Sequence, residues 1–428
     1  MSIHHSSPAP SFSTTAVVVG AGQAGLAMSR CLTELSIDHL VLERGRIAER
    51  WQSERWDSLR LLTPNWMTRL PGHAYEGDDP NGFMSMPEVA RFFAEYARII
   101  DAPVLDETTV VSARPTDDGY LLDTTRGTIS CRFLVAATGA CATPAIPDVA
   151  TAAPSRLFQI TPKHYRRPDQ MPEGGVLVVG ASASGVQLAR ELHESGRPVT
   201  LAVGAHTRIP RRYRGLDIHE WLDMMGTLSR GYDTIRDLDA ARREPSLQLV
   251  GSDDGRTLDL AELQRIGVRL TGRVERFGLG HVRVDGGLSA AVAAADASQT
   301  RLLDRIDRWA ADNGLDREID PIDRPATVHI GSEASAVDLD GINSVFWATG
   351  YRPDYSWLDL PVVRADGTIP HDGGIVHESP GLYLLGLPLM RTRKSTFIDG
   401  VGVDAEALAR HLAVRLGVGR TAGDTVTV

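Results

Sequence analysis

A glycine-rich turn between two apolar stretches is the feature of this chain that most restricts its fold. Residues 16–19 are apolar and lead into Gly20-Ala21-Gly22-Gln23-Ala24-Gly25, which opens a segment of helical periodicity. A second apolar run, 39–42, follows the helix and ends at Glu43. Strand, turn, helix, strand and terminal acid together form the βαβ fingerprint of a dinucleotide-binding fold.

Each part of this fingerprint has a physical role. Gly20 permits a tight turn, Gly22 lets the backbone approach a pyrophosphate, and Gly25 lets the helix pack closely on the strand. The N-terminus of the helix offers free N–H groups and a positive dipole end to the phosphates. Glu43 can accept hydrogen bonds from ribose hydroxyls. The alternative is a glycine-rich turn in an unrelated α/β domain.

The same pattern occurs a second time along the chain. The apolar residues 176–179 lead into Gly180-Ala181-Ser182-Ala183-Ser184-Gly185 and a second helical segment. An Ala-Thr-Gly sequence closes an apolar strand at 137–139 and again at 348–350. The order of these motifs is start, end, start, end, so one dinucleotide-binding domain is predicted to be interrupted by another.

The predicted fold class is therefore α/β, with two Rossmann-like domains, the second inserted in the first. We expect the first domain over 16–150 and 326–428, and the second over 174–325. The proline-rich stretch 151–173 reads as a linker, and 1–15 as a disordered tail. Within the second domain, about 210–325 is predicted to be an insertion with helical pieces near 216–225, 258–266 and 301–312.

The two predicted sites differ in charge. Glu43 suits the unphosphorylated ribose of FAD, whereas the second strand ends without an acid and precedes Arg208, Arg211 and Arg212. Because a guanidinium can bind phosphate through two parallel hydrogen bonds, these arginines favour NADPH and its 2′-phosphate. The alternative for them is a solvated basic loop. Ser182 replaces the middle glycine, and its side chain would crowd the pyrophosphate although its hydroxyl can hydrogen-bond to it.

Composition restricts the class of partner. The net charge of −10 argues against a nucleic-acid surface, and no apolar run reaches the length of a membrane span. The three cysteines are far apart and form no CxxC pair, which indicates a reducing cytoplasm and no redox dithiol. His4 and His5 lie in the predicted tail, and no metal site is expected. At 428 residues the chain is long enough for two or three domains.

This order of motifs resembles the flavin-containing monooxygenases, over most of residues 15–420. Within that family the chain is most similar to soluble bacterial relatives and to the indole-3-pyruvate monooxygenases. The similar positions are Trp56, Leu59, Leu61, Pro64, Leu70-Pro71 and Ala348-Thr349-Gly350-Tyr351-Arg352. Two family positions differ here. With Tyr165 taken as the last residue of the family motif, Thr161 occupies its histidine position and Leu157 its glycine position. Anchored on Phe158 instead, the motif keeps His164 but has Pro168 at its final aromatic position. Leu62 occupies a position that is often asparagine.

The resemblance implies cofactors and a reaction. NADPH would reduce FAD, O₂ would give a C4a-hydroperoxyflavin, and one oxygen atom would pass to a small amine, sulfide or ketone. It implies these FAD-binding residues: Gly20, Gly22, Gln23, Ala24, Gly25, Glu43, Arg44, Trp51, Val111, Thr138, Gly139 and Gly402. It implies these NADPH-binding residues: Gly180, Ser182, Ser184, Gly185, Arg208, Arg211 and Arg212.

No catalytic side chain is predicted, and a homodimer is left open. Because Thr161 and Leu62 depart from the family pattern, two alternatives remain. One is an NADPH–flavin oxidoreductase or oxidase without oxygen transfer, and the other is a flavin-binding regulatory scaffold. A disulfide reductase would require a pair of redox cysteines, which this sequence does not space suitably.

Overall fold

The computed structural model describes residues 12–418 except 253 and 332. The strands, in chain order, are β1 (Phe12–Val19), β2 (His39–Leu42), β3 (Arg69–Leu70), β4 (His73–Ala74), β5 (Val104–Leu105), β6 (Val110–Thr116), β7 (Gly119–Thr124), β8 (Gly127–Ala136), β9 (Thr143–Pro144), β10 (Phe158–Ile160), β11 (Gly175–Val179), β12 (Val199–Ala202), β13 (Arg212–Tyr213), β14 (Leu216–Asp217), β15 (Arg269–Thr271), β16 (Val274–Phe277), β17 (His281–Val284), β18 (Ala336–Asp338), β19 (Ile342–Trp347), β20 (Tyr351–Arg352) and β21 (Leu382–Leu384).

The α-helices, again in chain order, are α1 (Gln23–Glu34), α2 (Glu49–Ser53), α3 (Met86–Ile99), α4 (Ala183–Glu194), α5 (Ile218–Met224), α6 (Leu238–Arg242), α7 (Leu260–Ile266), α8 (Leu288–Asp312) and α9 (Ile398–Leu416). Short 3₁₀ turns occur at Asn65–Met67, Asp148–Ala152, Pro168–Gln170, Tyr232–Thr234 and Leu315–Arg317.

The first sheet has seven strands in the order β5-β2-β1-β8-β7-β6, with β21 also paired to β8. Strands β5, β2, β1, β8 and β21 run parallel, and β6 and β7 add an antiparallel meander. Helices α1, α3 and α9 share one buried cluster with this sheet. The contiguous apolar residues of β1 are explained by this burial on both faces.

The second sheet has five parallel strands in the order β10-β19-β11-β12-β15. Its interior is formed by the apolar residues of β11 and β12 and of helices α4 and α7. The predicted fold class, two Rossmann-like α/β units, is thereby confirmed.

Three predicted boundaries differ from the structure. The predicted linker contains β10, which is an edge strand of the second sheet because it pairs with β19. Strand β19 lies between β10 and β11, so the second sheet extends past the expected limit at residue 325. Strand β1 begins at Phe12, which pairs with Ile129, so 12–15 belong to the first sheet. Residues 1–11, with His4 and His5, lie outside the described part of the chain.

Helices α5 and α7 coincide with the first two helical pieces predicted for the insertion, whereas the third, 301–312, is only the C-terminal half of α8, which begins at Leu288. The insertion also carries β16 and β17, which form an antiparallel meander with β18, a strand beyond the predicted limit at residue 325. In the described part of the chain, no helix is long and apolar enough to cross a membrane. The same residues contain no cluster of three or more side chains able to hold a metal ion.

Candidate active site

The first glycine turn is closed by a contact that excludes side chains. Gly20 has a φ of +109°, and a Cβ on it would lie 2.7 Å from the carbonyl oxygen of Ala137. A Cβ on Gly25 would lie 1.8 Å from the carbonyl oxygen of Gly20. Both distances are far below van der Waals contact, so the turn, the start of α1 and the end of β8 require glycine at both positions.

Gly22 differs from these two glycines because no atom lies within 4 Å of where its Cβ would be. This open space lies at the N-terminus of α1, where Gly22 is the N-cap and no side chain caps the helix. The Glu43 carboxylate accepts from the backbone N–H of Ala21 at 2.9 Å and of Gly45 at 3.0 Å. The turn thus presents uncapped N–H groups beside a fixed carboxylate, which suits a pyrophosphate and a ribose.

The second glycine turn repeats the first in detail. Gly180 has a φ of +106°, and its Cβ would lie 2.4 Å from the carbonyl oxygen of Ala348. A Cβ on Gly185 would lie 1.8 Å from the carbonyl oxygen of Gly180. Ser182 is the N-cap of α4 with φ −81° and ψ −172°, close to the −89° and −168° of Gly22. The serine therefore leaves the backbone of the turn unchanged.

Both turns open onto one cleft with a volume of about 1880 Å³. Gln23 and Trp51 line it from the first unit, and residues 180–184 line it from the second. The segment 59–63 and the N-terminus of α9 (Ile398, preceded by Phe397) complete the wall next to Trp51. A cleft that joins two glycine turns can hold two dinucleotides with their reactive ends close together.

The remaining candidates for the first site are placed as follows. The indole Nε1 of Trp51 donates to Oε1 of Gln23 at 3.3 Å, so these two cleft residues are tied together. Thr138 and Gly139 (φ +75°) follow β8 beside Gly20. Val111 is 61% exposed and sits at a register shift of β6 against β7, which frees its backbone polar groups.

The side chain of Ala24 is buried in the first turn of α1, so only its backbone can face a ligand. Arg44 donates to the carboxylate of Glu54 at 2.8 Å. Gly402 packs closely against Pro71, because a Cβ on it would lie 3.0 Å from the proline ring, and its contact with the cofactor stays a prediction. Helix α9 begins at Ile398 with Phe397 as N-cap, so Asp404 lies inside the helix.

The arginine run requires a correction, because its members are engaged within the protein. The Arg208 side chain is 3% exposed and forms ion pairs with Asp259 and Asp296 at 2.6 Å each. Arg211 is 1% exposed and pairs with Asp217. Arg212 is exposed and donates to the carbonyl oxygen of Gly215. Arg208 and Arg211 are thus buried structural cations and are not available to a phosphate.

A different arginine, Arg273, lies where the first three were expected. It follows β15, the neighbour of β12, and its guanidinium Nε would lie 3.4 Å from a Cβ on Gly204, two residues beyond the end of β12. Arg273 is exposed and lines the cleft, and no described carboxylate pairs with it. Recognising 269–271 as a strand beside β12 would have revealed it, since carboxyl ends of parallel strands share one edge.

Leu62 and Thr161, the two positions that depart from the family pattern, each have clear contacts in the structure. Leu62 lines the cleft, and its carbonyl oxygen accepts from Arg211 Nη1 at 2.7 Å. Thr161 is buried, with its hydroxyl 3.2 Å from Nδ1 of His164. Tyr165 is fully buried and donates to Glu191 at 2.6 Å. The segment that carries Thr161 therefore packs against the second unit.

Comparisons with known proteins agree with this architecture. Residues 17–221 match the family model described as pyridine nucleotide-disulphide oxidoreductase. An uncharacterized CzcO-like oxidoreductase of Geobacillus kaustophilus is 32% identical over 404 residues, 92% of this chain and 97% of that protein. The indole-3-pyruvate monooxygenase YUCCA6 of Arabidopsis thaliana is 33% identical over 200 residues, 44% of this chain and 48% of that protein.

A solved structure shares the fold over nearly the whole chain. It is a flavin-containing monooxygenase from Stenotrophomonas maltophilia, with a TM-score of 0.65 and 19% identity, covering 94% of this chain and 99% of that one. The resemblance noted from the sequence is confirmed by these relatives together with the paired glycine turns. The chain belongs to the flavin-containing monooxygenase family, a family of FAD- and NADPH-dependent oxidoreductases.

Proposed function

We propose that this protein is an NADPH-reduced FAD monooxygenase that forms a C4a-hydroperoxyflavin and transfers one oxygen atom of O₂ to a small amine, sulfide or ketone. The observation that carries the proposal is the single cleft onto which both glycine turns open. Hydride transfer requires the nicotinamide and the flavin to meet, and one shared cleft allows this contact.

FAD would be held by the first turn. The open space at Gly22 and the uncapped start of α1 suit its pyrophosphate, and Glu43 suits its ribose. When bound, the flavin supplies the redox and oxygen chemistry, which belongs to the cofactor. The task of the chain would be to orient the two rings, and Trp51 and Gln23 are the candidates for it because they are hydrogen-bonded to each other and line the cleft.

NADPH would be held by the second turn, with Arg273 as the 2′-phosphate ligand. Ser182 supports this use of the turn because its backbone angles match those of Gly22. Arg273 supports the preference for NADPH because its guanidinium is exposed in the cleft beside Gly204. Phosphate binding by an unpaired arginine is stronger than by one already held between carboxylates.

Exclusion of water is the other contribution expected from the chain, because water access favours loss of the transferable oxygen as peroxide. Leu59, Leu61, Phe397 and Ile398 give the cleft an apolar wall near Trp51. Cys31, Cys131 and Cys141 are free thiols, in keeping with a reducing cytoplasm and with chemistry that uses no dithiol.

Stopped-flow absorbance tests the proposal. The flavin of the holoprotein should bleach when NADPH is added without oxygen, and a transient near-ultraviolet band should follow on mixing with O₂. A failure to bleach would favour the regulatory scaffold. Bleaching followed by immediate reoxidation, with peroxide equal to the NADPH consumed, would favour the oxidase. Amines, sulfides and ketones that increase NADPH consumption without a matching release of peroxide would define the substrate class.

A further inference from the structure

A histidine of the insertion reaches the same cleft. His219 lies at the start of α5, and Asp217, the N-cap of this helix, accepts from its backbone N–H at 2.8 Å. The imidazole is 2% exposed yet lines the cleft. Burial lowers the pKa of His219 below its usual range. The ring is therefore neutral near pH 7 and carries a single N–H.

Arg211 decides which ring nitrogen carries that hydrogen. Its Nη2 lies 2.8 Å from Nδ1 of His219, whereas the Asp217 carboxylate lies 3.3 Å from the same nitrogen. A guanidinium has only donors, so Nδ1 must be the acceptor. A hydrogen on Nδ1 would face an N–H of Arg211. The neutral ring thus holds its hydrogen on Nε2.

The imidazole is also fixed in position. Arg211 donates through Nη1 to the carbonyl oxygen of Leu62 at 2.7 Å and lies over the ring of Phe83 at 4.9 Å. On the other side, the ring of Phe397 meets His219 edge-on with centroids 6.1 Å apart. Leu62 and Phe397 both belong to the cleft wall. His219 is therefore held in place next to the cleft wall that lies beside Trp51.

Apolar side chains line the cleft into which His219 reaches, and one of them, Phe397, packs against the imidazole. Leu222, Leu228, Leu302 and Phe397 belong to one hydrophobic cluster and line the cleft. No described residue hydrogen-bonds to Nε2. Nε2 is not fully enclosed, so a ligand or a water in the cleft can accept its hydrogen bond.

We propose that Nε2–H of His219 donates a hydrogen bond to an acceptor oxygen of the substrate, and that the substrate is an apolar molecule carrying a carbonyl group. This inference rests on the proposed function and narrows it. A protonated amine offers only donors, and a thioether sulfur is a weak acceptor, so neither matches this wall. The carboxamide of the nicotinamide is the other acceptor that must be distinguished.

Binding tests the inference without requiring turnover. Acetophenone and thioanisole share an aryl-methyl shape, but only the ketone has an acceptor oxygen. Dissociation constants would be measured from perturbation of the flavin spectrum of the oxidised holoenzyme. The wild type should bind the ketone more tightly. H219F keeps a ring but removes the donor, and should reduce ketone affinity by about 10-fold, the scale of one hydrogen bond. Thioanisole affinity should change by less than about threefold, since it forfeits no such bond.

His219→Gln is the matched control, because its amide keeps an N–H near the position of Nε2 and should recover most of the ketone affinity. Equal ketone and sulfide affinities in the wild type, or equal losses of both in H219F, would overturn the inference. A weaker NADP⁺ affinity in H219F with unchanged ketone affinity would assign the donor to the nicotinamide instead. Oxygen transfer is measured in a separate assay. An absence of oxygen transfer would refute the proposed function, but it would not change the conclusion from the binding constants about His219.

The tautomer gives a second test that needs no ligand. Long-range ¹⁵N–¹H spectra of ¹⁵N-histidine-labelled holoprotein would distinguish the two neutral forms, with the His219 signal assigned by its loss in H219Q. The expected result is the Nε2–H form from about pH 7 to 8, above the usual histidine pKa. The Nδ1–H form, or a protonated ring, would overturn the inference.

Discussion

The assignment of Arg273 to the 2′-phosphate predicts a change in nucleotide selectivity. In Arg273→Ala the cleft loses an exposed guanidinium beside Gly204. A hydrogen bond to a charged group contributes about 1.5–3 kcal/mol. At 1.4 kcal/mol per factor of ten, the dissociation constant of NADPH should rise roughly 10- to 100-fold. NADH has no 2′-phosphate, so its dissociation constant should change by less than about threefold, within the scatter of such values.

The assay is the rate of anaerobic flavin bleaching as a function of NADPH and NADH concentration, which separates binding from hydride transfer. The limiting rate should be unchanged, since Arg273 is not placed near the rings. Arg208→Met is the matched control. It leaves Asp259 and Asp296 buried without their cation, which should cost about 3–5 kcal/mol of folding free energy without altering the NADPH-to-NADH ratio. A ratio altered by Arg208→Met but not by Arg273→Ala would refute the reasoning.

Three further predictions concern the turns and one buried acid. Gly25→Ala should yield protein without bound flavin, because its Cβ would lie 1.8 Å from a carbonyl oxygen. Gly22→Ala has nothing within 4 Å of its Cβ, so the unfolding free energy of its apoprotein should lie within about 1 kcal/mol of the wild-type value. Titration with FAD should nevertheless show a loss of FAD affinity in Gly22→Ala. Ser182→Gly should keep NADPH affinity within about threefold, because the backbone already has the required angles, and a larger gain would show that the hydroxymethyl group obstructs the phosphates. Burial raises the pKa of Asp404 from 3.8 to about 6. As pH rises, the carboxyl of Asp404 therefore ionises in the unfolded chain before it does so in the folded protein. The wild type consequently loses folding free energy between about pH 4 and pH 6. Asp404→Asn should therefore gain up to about 3 kcal/mol near pH 7.5 and almost nothing near pH 4, as measured by denaturant unfolding, and a gain independent of pH would contradict this account.

The parts of the fold that depend on local pattern could be predicted from the sequence. Gly20, Gly25, Gly180 and Gly185 mark both turns because close backbone contacts exclude any other residue. The pairing of β10 with β19 could not be predicted in this way. The two strands are separated by most of the second unit, and β10 is only three residues long within a proline-rich stretch.

The arginine run shows a second limit of reading a sequence. Proximity along the chain placed Arg208 and Arg211 near the end of β12, but it could not indicate the direction of their side chains. That direction is set by buried acids distant in sequence, Asp259 on α7 and Asp296 on α8. His219 was missed for the same reason, because its role depends on a guanidinium and on a wall from the other unit.

The strand order has a consequence for biosynthesis. The first sheet holds residues from Phe12 to Leu384, and the second places β19, which ends at Trp347, between strands made about 170 to 190 residues earlier. An emerging polypeptide therefore cannot complete either sheet until most of it has left the ribosome. Both sheets remain incomplete, with apolar strand edges exposed, until β19 and β21 have been synthesised. Folding during translation should therefore depend on chaperones that shield such edges.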